Sequence, residues 1–440
     1  MERNDHPTSV DLNVLDELYL HLDRDDEPWS VHLEVGVEGT IDSERLAEAI
    51  RAGVSAHPIA RARLRPSRAT DVRYHWEIAE ELGEVPLTVT ACPDSAALAA
   101  ARERLMSGSP SLDASPPFAV THAHHPAGDT IMLNLSHAAG DGMSAVRLMA
   151  SFLRSYAGQP DPPAPVNSLA VRNIGRLVNS GSFRARLARG RTLIERSARL
   201  AGAPARVAPQ GAEDRPGYGF SLLHLDADEL RAVIGHRHGG ATVNDVLLAA
   251  LAVTVAGWND RHGTRASHIS LMMPVNLRPA EWRTEVVGNF ASYVSVAVDP
   301  ADHLNLATAV AAAADRTRQI KRQRAAGLVV DLLEVPTATL PTAVKKRFQD
   351  LITLTGSRLV DTAVLSNLGR LDSAPYLGPE AGSVRQVWFS PPGRMPLGAS
   401  LGGATYENEL FLCLRYRHAL LDATGAAAFT GLLHETLTTG

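Results

Sequence analysis

Residues 131–142 read Ile-Met-Leu-Asn-Leu-Ser-His-Ala-Ala-Gly-Asp-Gly, a strand pattern followed at once by a histidine and a glycine-rich turn. The first six residues are uncharged and alternate around three aliphatic side chains, which predicts a strand that is buried on both faces. Apolar residues then recur at helical spacing as far as Tyr156, which predicts an amphipathic helix. His137 therefore lies where a rigid strand meets a helix, and the neighbouring glycines let a ligand approach closely enough for general-base chemistry.

The composition is that of a soluble protein with a large core, because 45% of the 440 residues are hydrophobic and 21% are charged. A chain of this length favours two domains. The net charge of −5 gives no general reason to expect nucleic acid as a partner. Cys92 and Cys413 lie far apart and lack a Cys-x-x-Cys pattern. We therefore expect neither a disulfide framework nor a zinc–thiolate site, and a reducing compartment fits.

The sequence offers no clear signal for a membrane or for export. Residues 1–7 are polar and are not followed by an apolar core, so we expect no signal peptide. The longest apolar stretch, residues 246–258, is shorter than the roughly 20 residues that span a bilayer and predicts a buried helix instead. We expect a cytoplasmic protein.

Strand and helix patterns alternate along both halves of the chain without a strict strand–helix–strand repeat. The predicted strands include residues 31–37, 117–125, 131–136, 268–275, 288–298 and, as a hairpin, 398–417. This arrangement predicts an α/β fold with mixed sheets rather than a barrel. Between the halves, the proline-rich residues 158–165 are the clearest linker.

Residues 172–206 are strongly basic, with nine arginines and a single acidic residue, Glu195. One interpretation is a helix whose charged face is solvated. The other is a docking strip for an acidic partner, such as a phosphorylated carrier protein, a CoA phosphate or an anionic membrane surface.

Two further patterns suggest other chemistry, and we expect neither to be functional. Residues 398–402, Gly-Ala-Ser-Leu-Gly, fit the nucleophile elbow of hydrolases, but that elbow requires a following helix and a strand pattern follows here. Strand alternation places His122 and His124 on one face, where two imidazoles could suggest a metal. The only nearby carboxylate, Asp129, lies in the turn, so we expect no metal there.

The spacing of His137 and Asp141 alone is compatible with a core histidine and a helix-capping aspartate. The surrounding sequence, however, resembles the His-x-x-x-Asp-Gly motif of the CoA-dependent acyltransferase superfamily. That superfamily includes chloramphenicol acetyltransferase, nonribosomal-peptide condensation domains, plant acyltransferases and wax-ester synthase/diacylglycerol acyltransferases. Further matches, in an order most similar to that of the wax-ester-synthase and alcohol-acyltransferase types, cover residues 12–37, 57–58, 112–118, 242–246, 273–278, 288–290 and 366–369.

The resemblance implies two chloramphenicol-acetyltransferase-like lobes in one chain, a pseudo-dimer with mixed sheets and an active-site tunnel between the lobes. We place an amino-terminal lobe with the motif at residues 1–168, a basic crossover segment at 169–214 and a carboxy-terminal lobe at 215–440. One motif in two lobes implies one active site.

The resemblance also implies roles for individual residues. His137 would act as the general base that deprotonates a hydroxyl or amine attacking a thioester. Asp141 would face away from the substrate and pair with an arginine, and Arg278 stands at the matching position. The backbone N–H of Gly142 and the loop at Ser366 and Asn367 are candidates for stabilising the oxyanion.

The departures from the family pattern bear on the product. Ser136 replaces the first histidine of the common doublet, and Phe118 replaces a tryptophan of the wax-ester-synthase type. The loop at residues 366–369 lacks the Val-Pro-Gly-Pro continuation of that type, which weakens the case for triacylglycerol or wax. No Asp-Phe-Gly-Trp-Gly is present, which disfavours the plant branch.

Three functions remain open. The leading hypothesis is acyl transfer from a CoA or carrier-protein thioester to a hydroxyl, in lipid or natural-product biosynthesis, with no bound cofactor and no metal. The second is a freestanding condensation-type enzyme that forms an amide from a carrier-bound acyl donor and an amine. The third is a non-catalytic condensation-like module that recruits partners. The expected partners are acyl-CoA or an acyl carrier protein and a small alcohol or amine.

Overall fold

The structure is a computed structural model that describes residues 8–178, 203–264, 268–347 and 360–439. The strands are β1 (Thr8–Asp11), β2 (Ser30–Val37), β3 (Ala62–Leu64), β4 (His75–Ile78), β5 (Leu87–Ala91), β6 (Phe118–His124), β7 (Thr130–Ser136), β8 (Tyr218–Leu225), β9 (Ile269–Asn276), β10 (Ala291–Val298), β11 (Ala363–Arg370), β12 (Val384–Ser390), β13 (Ala399–Tyr406) and β14 (Glu409–Arg417). The helices are α1 (Val14–Leu22), α2 (Ser43–Ser55), α3 (Ser95–Leu105), α4 (Gly142–Tyr156), α5 (Ile174–Leu177), α6 (Ala227–Gly235), α7 (Val243–Arg261), α8 (Leu306–Arg322), α9 (Gly327–Thr339), α10 (Thr342–Lys345) and α11 (Ala423–Thr439).

Two mixed sheets organise the fold. The first has the strand order β12-β2-β7-β6-β5, in which only the β5–β6 pair is parallel. The second has the order β10-β9-β11-β13-β14-β8, in which β11 runs parallel to both of its neighbours. A small third sheet contains β1, β4 and β3. The predicted α/β class with mixed sheets is confirmed.

Strand β7 lies in the interior of the first sheet, and all seven of its residues are buried. It pairs with β2 on one side and forms a hairpin with β6 on the other, as the sequence predicts. Strand β7 is paired on both sides and buried on both faces. It therefore fixes the backbone position of His137, the residue that follows it.

The second sheet packs against α7, whose residues are buried nearly all round. The predicted buried helix at residues 246–258 is therefore confirmed. Thr242 caps α7 in a capping box with Asp245, whose side chain accepts a hydrogen bond from the backbone N–H of Thr242. Within the described ranges, no helix is both long enough and apolar enough to cross a membrane.

Strand β12 crosses from the second half of the chain into the first sheet, where it pairs antiparallel with β2. Its Trp388 and Phe389 belong to the same buried cluster as Leu33 and Leu135 of the first half. No pattern in the sequence predicts this crossing. A division of the chain at residue 214 stays a prediction, and it leaves the first sheet without its β12 edge.

Candidate active site

His137 follows the last residue of β7, and its backbone is fixed from several directions. Its N–H donates to the carbonyl oxygen of Trp29 at 3.2 Å. The side-chain amide of Asn289 donates to the carbonyl oxygens of His137 and Ala138, the second at 3.0 Å. The Tyr19 ring stacks on the imidazole with 3.8 Å between ring centroids. Elements from both halves of the chain therefore position this histidine.

His137 is half-buried, and its Nδ1 is buried with no hydrogen-bond partner among the described residues. Burial lowers the pKa of His137 below its ordinary value of 6.5, against the opposing influence of the Asp141 charge. The imidazole is therefore largely neutral at pH 7, which is the form that can accept a proton.

Asp141 is buried and caps the N-terminus of α4. Its Oδ1 accepts hydrogen bonds from the backbone N–H and the hydroxyl of Ser144, both at 3.0 Å. Its Oδ2 accepts a hydrogen bond from the backbone N–H of Phe290 at 2.9 Å. Asp141 thus joins the helix that follows the motif to the start of β10 in the second half.

Arg278 forms the ion pair with Asp141 that the sequence analysis expects. Nη1 donates to Oδ2 at 2.7 Å and Nη2 donates to Oδ1 at 3.0 Å, and the two side chains are 0% and 2% exposed. The guanidinium also donates to the carbonyl oxygens of Val286 and Gly288. Burial raises the pKa of Asp141, but the charge and hydrogen bonds of Arg278 outweigh it and hold the pKa below its usual range.

Gly142, the first residue of α4, lies close to two side chains of the second half of the chain. A Cβ at this position would lie 2.9 Å from the Leu368 side chain and 2.9 Å from the Phe389 ring. A larger residue would push Leu368 of β11 and Phe389 of β12 away from the motif. The C-terminal part of β11, which contains Leu368, therefore lies beside Gly142, whose backbone N–H is the predicted oxyanion donor.

Ser366 and Asn367 both lie in β11, where they pair with Gly402 and Gly403 of β13. The Asn367 side-chain oxygen accepts a hydrogen bond from the N–H of Gly369 at 3.0 Å, which fixes the local turn. Their neighbour Leu368 reaches Gly142, but the described contacts of Ser366 and Asn367 are within the second sheet. Their role at the oxyanion stays a prediction.

Three residues around the site are not identified by the sequence analysis: Tyr19, Ser144 and Asn289. Asn289 lies within the quoted motif at residues 288–290, yet its spacing gives no sign that its amide holds the His137 backbone. Tyr19 carries no sequence signal, because a stacked ring depends on how α1 packs. The strand predicted at residues 288–298 begins only at Ala291, because Gly288 and Phe290 bond to the α4 terminus instead.

A cavity of about 140 Å³ lies at the junction of the two halves, beside the first turn of α4. Its lining residues include Met143 and Val146 of α4, Val387 of β12 and residues 370–375. Neither His137 nor Gly142 is among the described residues that line this cavity.

Most of the basic segment at 172–206 falls on residues 179–202, which lie outside the described residues. Of the described arginines, Arg172 is buried and pairs with Asp16, and Arg206 donates to the carbonyl oxygen of Asp361 at 2.8 Å. Arg172 belongs neither to a solvated face nor to a docking strip, because its side chain is buried and paired with the carboxylate of Asp16.

The structure places Asp129 beside His122 and His124, and the expectation of no metal there stays a prediction. The turn brings Asp129 back against both imidazoles, so that the three side chains could together hold an ion. The hydrolase-like Ser400, in contrast, lies in β13 with β14 after it, and its hydroxyl donates to the carbonyl oxygen of Pro391 at 3.0 Å. A strand in place of the helix is incompatible with a nucleophile elbow.

Comparisons with known proteins give one consistent family. The sequence profile of the condensation domain matches residues 18–339. The uncharacterized protein Rv2305 of Mycobacterium tuberculosis strain ATCC 25618 / H37Rv is 37% identical over 437 residues, covering 97% of this chain and 99% of that protein.

Two solved structures share the fold over nearly the whole chain. The condensation domain of the monacolin K polyketide synthase MokA has a TM-score of 0.68 at 15% identity, covering 99% of this chain and 98% of that one. SgcC5 of Streptomyces globisporus has a TM-score of 0.63 at 17% identity, covering 97% of this chain and 98% of that one.

Proposed function

This chain belongs to the condensation-domain family, with two chloramphenicol-acetyltransferase-like lobes, and we propose that it transfers an acyl group from a thioester to a hydroxyl acceptor. Condensation domains act on carrier-protein-bound substrates and are generally acyl-transferring enzymes. Beyond this general activity, we propose that the product is an ester and that His137 makes the acceptor nucleophilic.

The placement of His137 carries the proposal. Its backbone is held by Trp29 and Asn289, its ring is held by Tyr19, and its pKa is lowered by burial. A neutral, oriented imidazole at the junction of two lobes is suited to remove a proton in the transition state, which typically contributes about 10²–10⁴-fold in rate.

In the proposed reaction, the imidazole takes the proton of the acceptor hydroxyl as its oxygen attacks the thioester carbonyl carbon. The carbonyl π electrons move to oxygen and form a tetrahedral oxyanion. When the carbonyl reforms, the carbon–sulfur bond breaks, and the imidazolium returns its proton to the leaving thiolate. Atoms and protons balance, and no covalent acyl-enzyme is needed.

The oxyanion requires hydrogen-bond donors near the α4 N-terminus. The backbone N–H of Gly142 lies at the positive end of a 15-residue helix, where negative charge is favoured. The β11 segment at Ser366 and Asn367 is the second candidate, since its neighbour Leu368 contacts the same glycine.

Asp141 has a positioning role in this proposal. Its carboxylate is ionised, bidentate with Arg278 and buried away from water, so it is unsuited to exchange protons during turnover. It instead fixes the loop that carries His137 and Gly142.

A hydroxyl acceptor is supported by the order of sequence motifs, which resembles that of ester-forming relatives. SgcC5 was solved in complex with (R)-(−)-1-(2-naphthyl)-1,2-ethanediol and sucrose, which makes vicinal diols a sensible first acceptor to test. An amine acceptor, giving an amide, is the second candidate, and the condensation-domain match favours it.

The test combines acyl-CoA and acyl-carrier-protein donors of several chain lengths with alcohol and amine acceptors, and measures product by mass spectrometry. The proposal expects an ester from at least one alcohol. An amide without any ester would replace it with the second candidate. Carrier-protein binding without turnover of any pair would support a recruiting module instead.

The role of His137 is tested with His137→Ala and a matched control, His434→Ala, which removes a partly exposed histidine paired with Glu229. We expect His137→Ala to lose about 10²–10⁴-fold in kcat/KM and the control to retain full activity. Near-full transfer by a folded His137→Ala variant would exclude the general-base role.

A further inference from the structure

His122, His124 and Asp129 form a compact cluster at the end of the β6–β7 hairpin, remote from His137. The Nε2 of His122 and the Nδ1 of His124 each lie 2.9 Å from the Oδ2 of Asp129. These three possible ligand atoms all lie within 4.8 Å of one another. The two strand histidines share a face, and the turn returns the aspartate to them.

We propose that this cluster is a Zn²⁺ site. Two imidazole nitrogens and one carboxylate oxygen are donors that zinc accepts, and zinc sites with three protein ligands keep the fourth position for water. In a tetrahedral site with bonds of about 2.0–2.2 Å, neighbouring ligand atoms lie roughly 3.3 Å apart. To admit the ion, the two 2.9 Å spacings to Asp129 would each widen by about 0.4 Å. The two imidazole nitrogens, which lie within 4.8 Å of each other, would adjust to the same spacing.

The surroundings already orient two of the three ligands. The Nδ1 of His122 lies 2.9 Å from the hydroxyl of Ser43, and the backbone N–H of Ile41 donates to the Asp129 Oδ2 at 2.9 Å. With zinc on Nε2, the remaining proton of the neutral His122 ring lies on Nδ1, where the Ser43 oxygen accepts it. Such an outer partner fixes the ring and its tautomer.

The exposure of the cluster lets an ion and its water reach it. The side chains of His122 and Asp129 are 0% and 3% exposed, whereas that of His124 is 40% exposed, so the ion and its water can enter past His124. Asp129 directly precedes β7 and His137 directly follows it, which separates the cluster from the candidate base by about 25 Å of strand. Ser43 begins α2, so the ion would join the hairpin to that helix.

The alternative is that the cluster is only a carboxylate that accepts hydrogen bonds from two imidazoles. The two arrangements use the same side chains and differ in whether zinc binds. His224 offers a matched control, because its side chain is 43% exposed and pairs with the Glu409 carboxylate at 2.8 Å.

The experiment titrates ZnCl₂ into tag-free, EDTA-treated and dialysed full-length protein by calorimetry and follows the thermal midpoint. We expect one equivalent to bind and Tm to rise by about 3 °C when free zinc is about one hundred times the Kd. His124→Ala, at a partly exposed position, should abolish saturable binding, Ser43→Ala should weaken it about tenfold, and His224→Ala should leave it unchanged.

Absence of saturable zinc binding by the wild type would overturn the proposal. Unchanged binding by a folded His124→Ala variant would overturn it as well. The readouts are binding and stability, so they stand apart from the acyl-transfer proposal.

Discussion

Arg278 and Asp141 form a bidentate ion pair across the two halves of the chain, with hydrogen bonds of 2.7 and 3.0 Å between residues 137 positions apart. Both side chains are almost completely buried, and Arg278 also bonds the carbonyl oxygens of Val286 and Gly288. The Arg278 guanidinium therefore connects Asp141, at the N-terminus of α4, to residues 286–288, which precede β10.

Removing either partner of this pair should destabilise the protein strongly. We expect Arg278→Ala and Asp141→Ala each to lower the free energy of unfolding by about 3–5 kcal/mol, because each leaves a buried charge unpaired. The double variant should lose much less than the sum of the two. Denaturant titrations measure this cycle, and additive losses would mean that the pair is not coupled.

An exposed ion pair is the control for that cycle. Arg316 and Asp299 lie 2.8 Å apart with side chains 32% and 55% exposed. Because water screens this pair, Arg316→Ala should change the unfolding free energy by no more than about 1 kcal/mol.

Acyl transfer should depend on pH through His137. Burial lowers the pKa of this residue below 6.5, so the base is neutral above that pH and protonated below its own pKa. We expect kcat/KM to rise with pH to a plateau that begins below about pH 7. A profile measured between pH 4.5 and 8.5 checks this, and an acid limb centred above 6.5 would contradict it.

Gly142→Ala should reduce stability, although alanine is usually the better helix residue by about 1 kcal/mol. The added Cβ would lie 2.9 Å from the Leu368 side chain and from the Phe389 ring, so we expect a loss of about 1–3 kcal/mol from overpacking. Transfer activity should fall as well, since the α4 terminus must shift.

Truncation of Leu368 tests whether this steric contact causes the loss of stability. Adding Leu368→Ala to Gly142→Ala removes one of the two 2.9 Å contacts of the new Cβ, while the Phe389 ring remains. The double variant should therefore lose less of the thermal midpoint than the two single variants together. A double variant that shows only the summed losses would place the steric conflict elsewhere.

Glu34 should contribute to stability in acid. It is buried and accepts two hydrogen bonds from Arg102, at 2.6 and 2.7 Å. Burial raises the pKa of Glu34, but Arg102 outweighs it and holds the pKa at about 2, below the ordinary 4.5. A lowered pKa stabilises the folded state above pH 4.5, and this contribution is lost as the pH falls toward 2.

Glu34→Gln tests this contribution. The variant should be less stable than wild type at pH 7, and the difference should shrink between pH 4.5 and 2. Urea titrations across that interval measure it, and a difference that is constant with pH would assign the effect to packing alone.

The sequence predicts the strand β7, the hairpin with β6, the buried helix α7 and the Asp141–Arg278 pair, because each leaves a local pattern or a motif at a known position. It does not predict that Tyr19 stacks on His137 or that Asn289 holds the His137 backbone. Those contacts depend on how α1 and the segment before β10 pack against the loop that carries His137. The spacing of residues along the sequence does not determine that packing.

The turn at Asp129 shows the same limit from another direction. Alternation along β6 places His122 and His124 on one face, but only the closed turn shows that Asp129 reaches both. The side chain of a loop residue can face any direction that the loop allows. Sequence spacing therefore does not show whether Asp129 can join the two histidines as a third possible ligand.

The crossing of β12 has a consequence for how the chain is made. His32 in β2 and Ser390 in β12 are opposite one another in the first sheet and lie 358 positions apart in sequence. During synthesis from the amino terminus, β2 therefore presents an unpaired backbone edge until β12 has left the ribosome. An open edge of this kind can pair with strands of other chains, so the first lobe is open to misassociation for as long as β12 is missing.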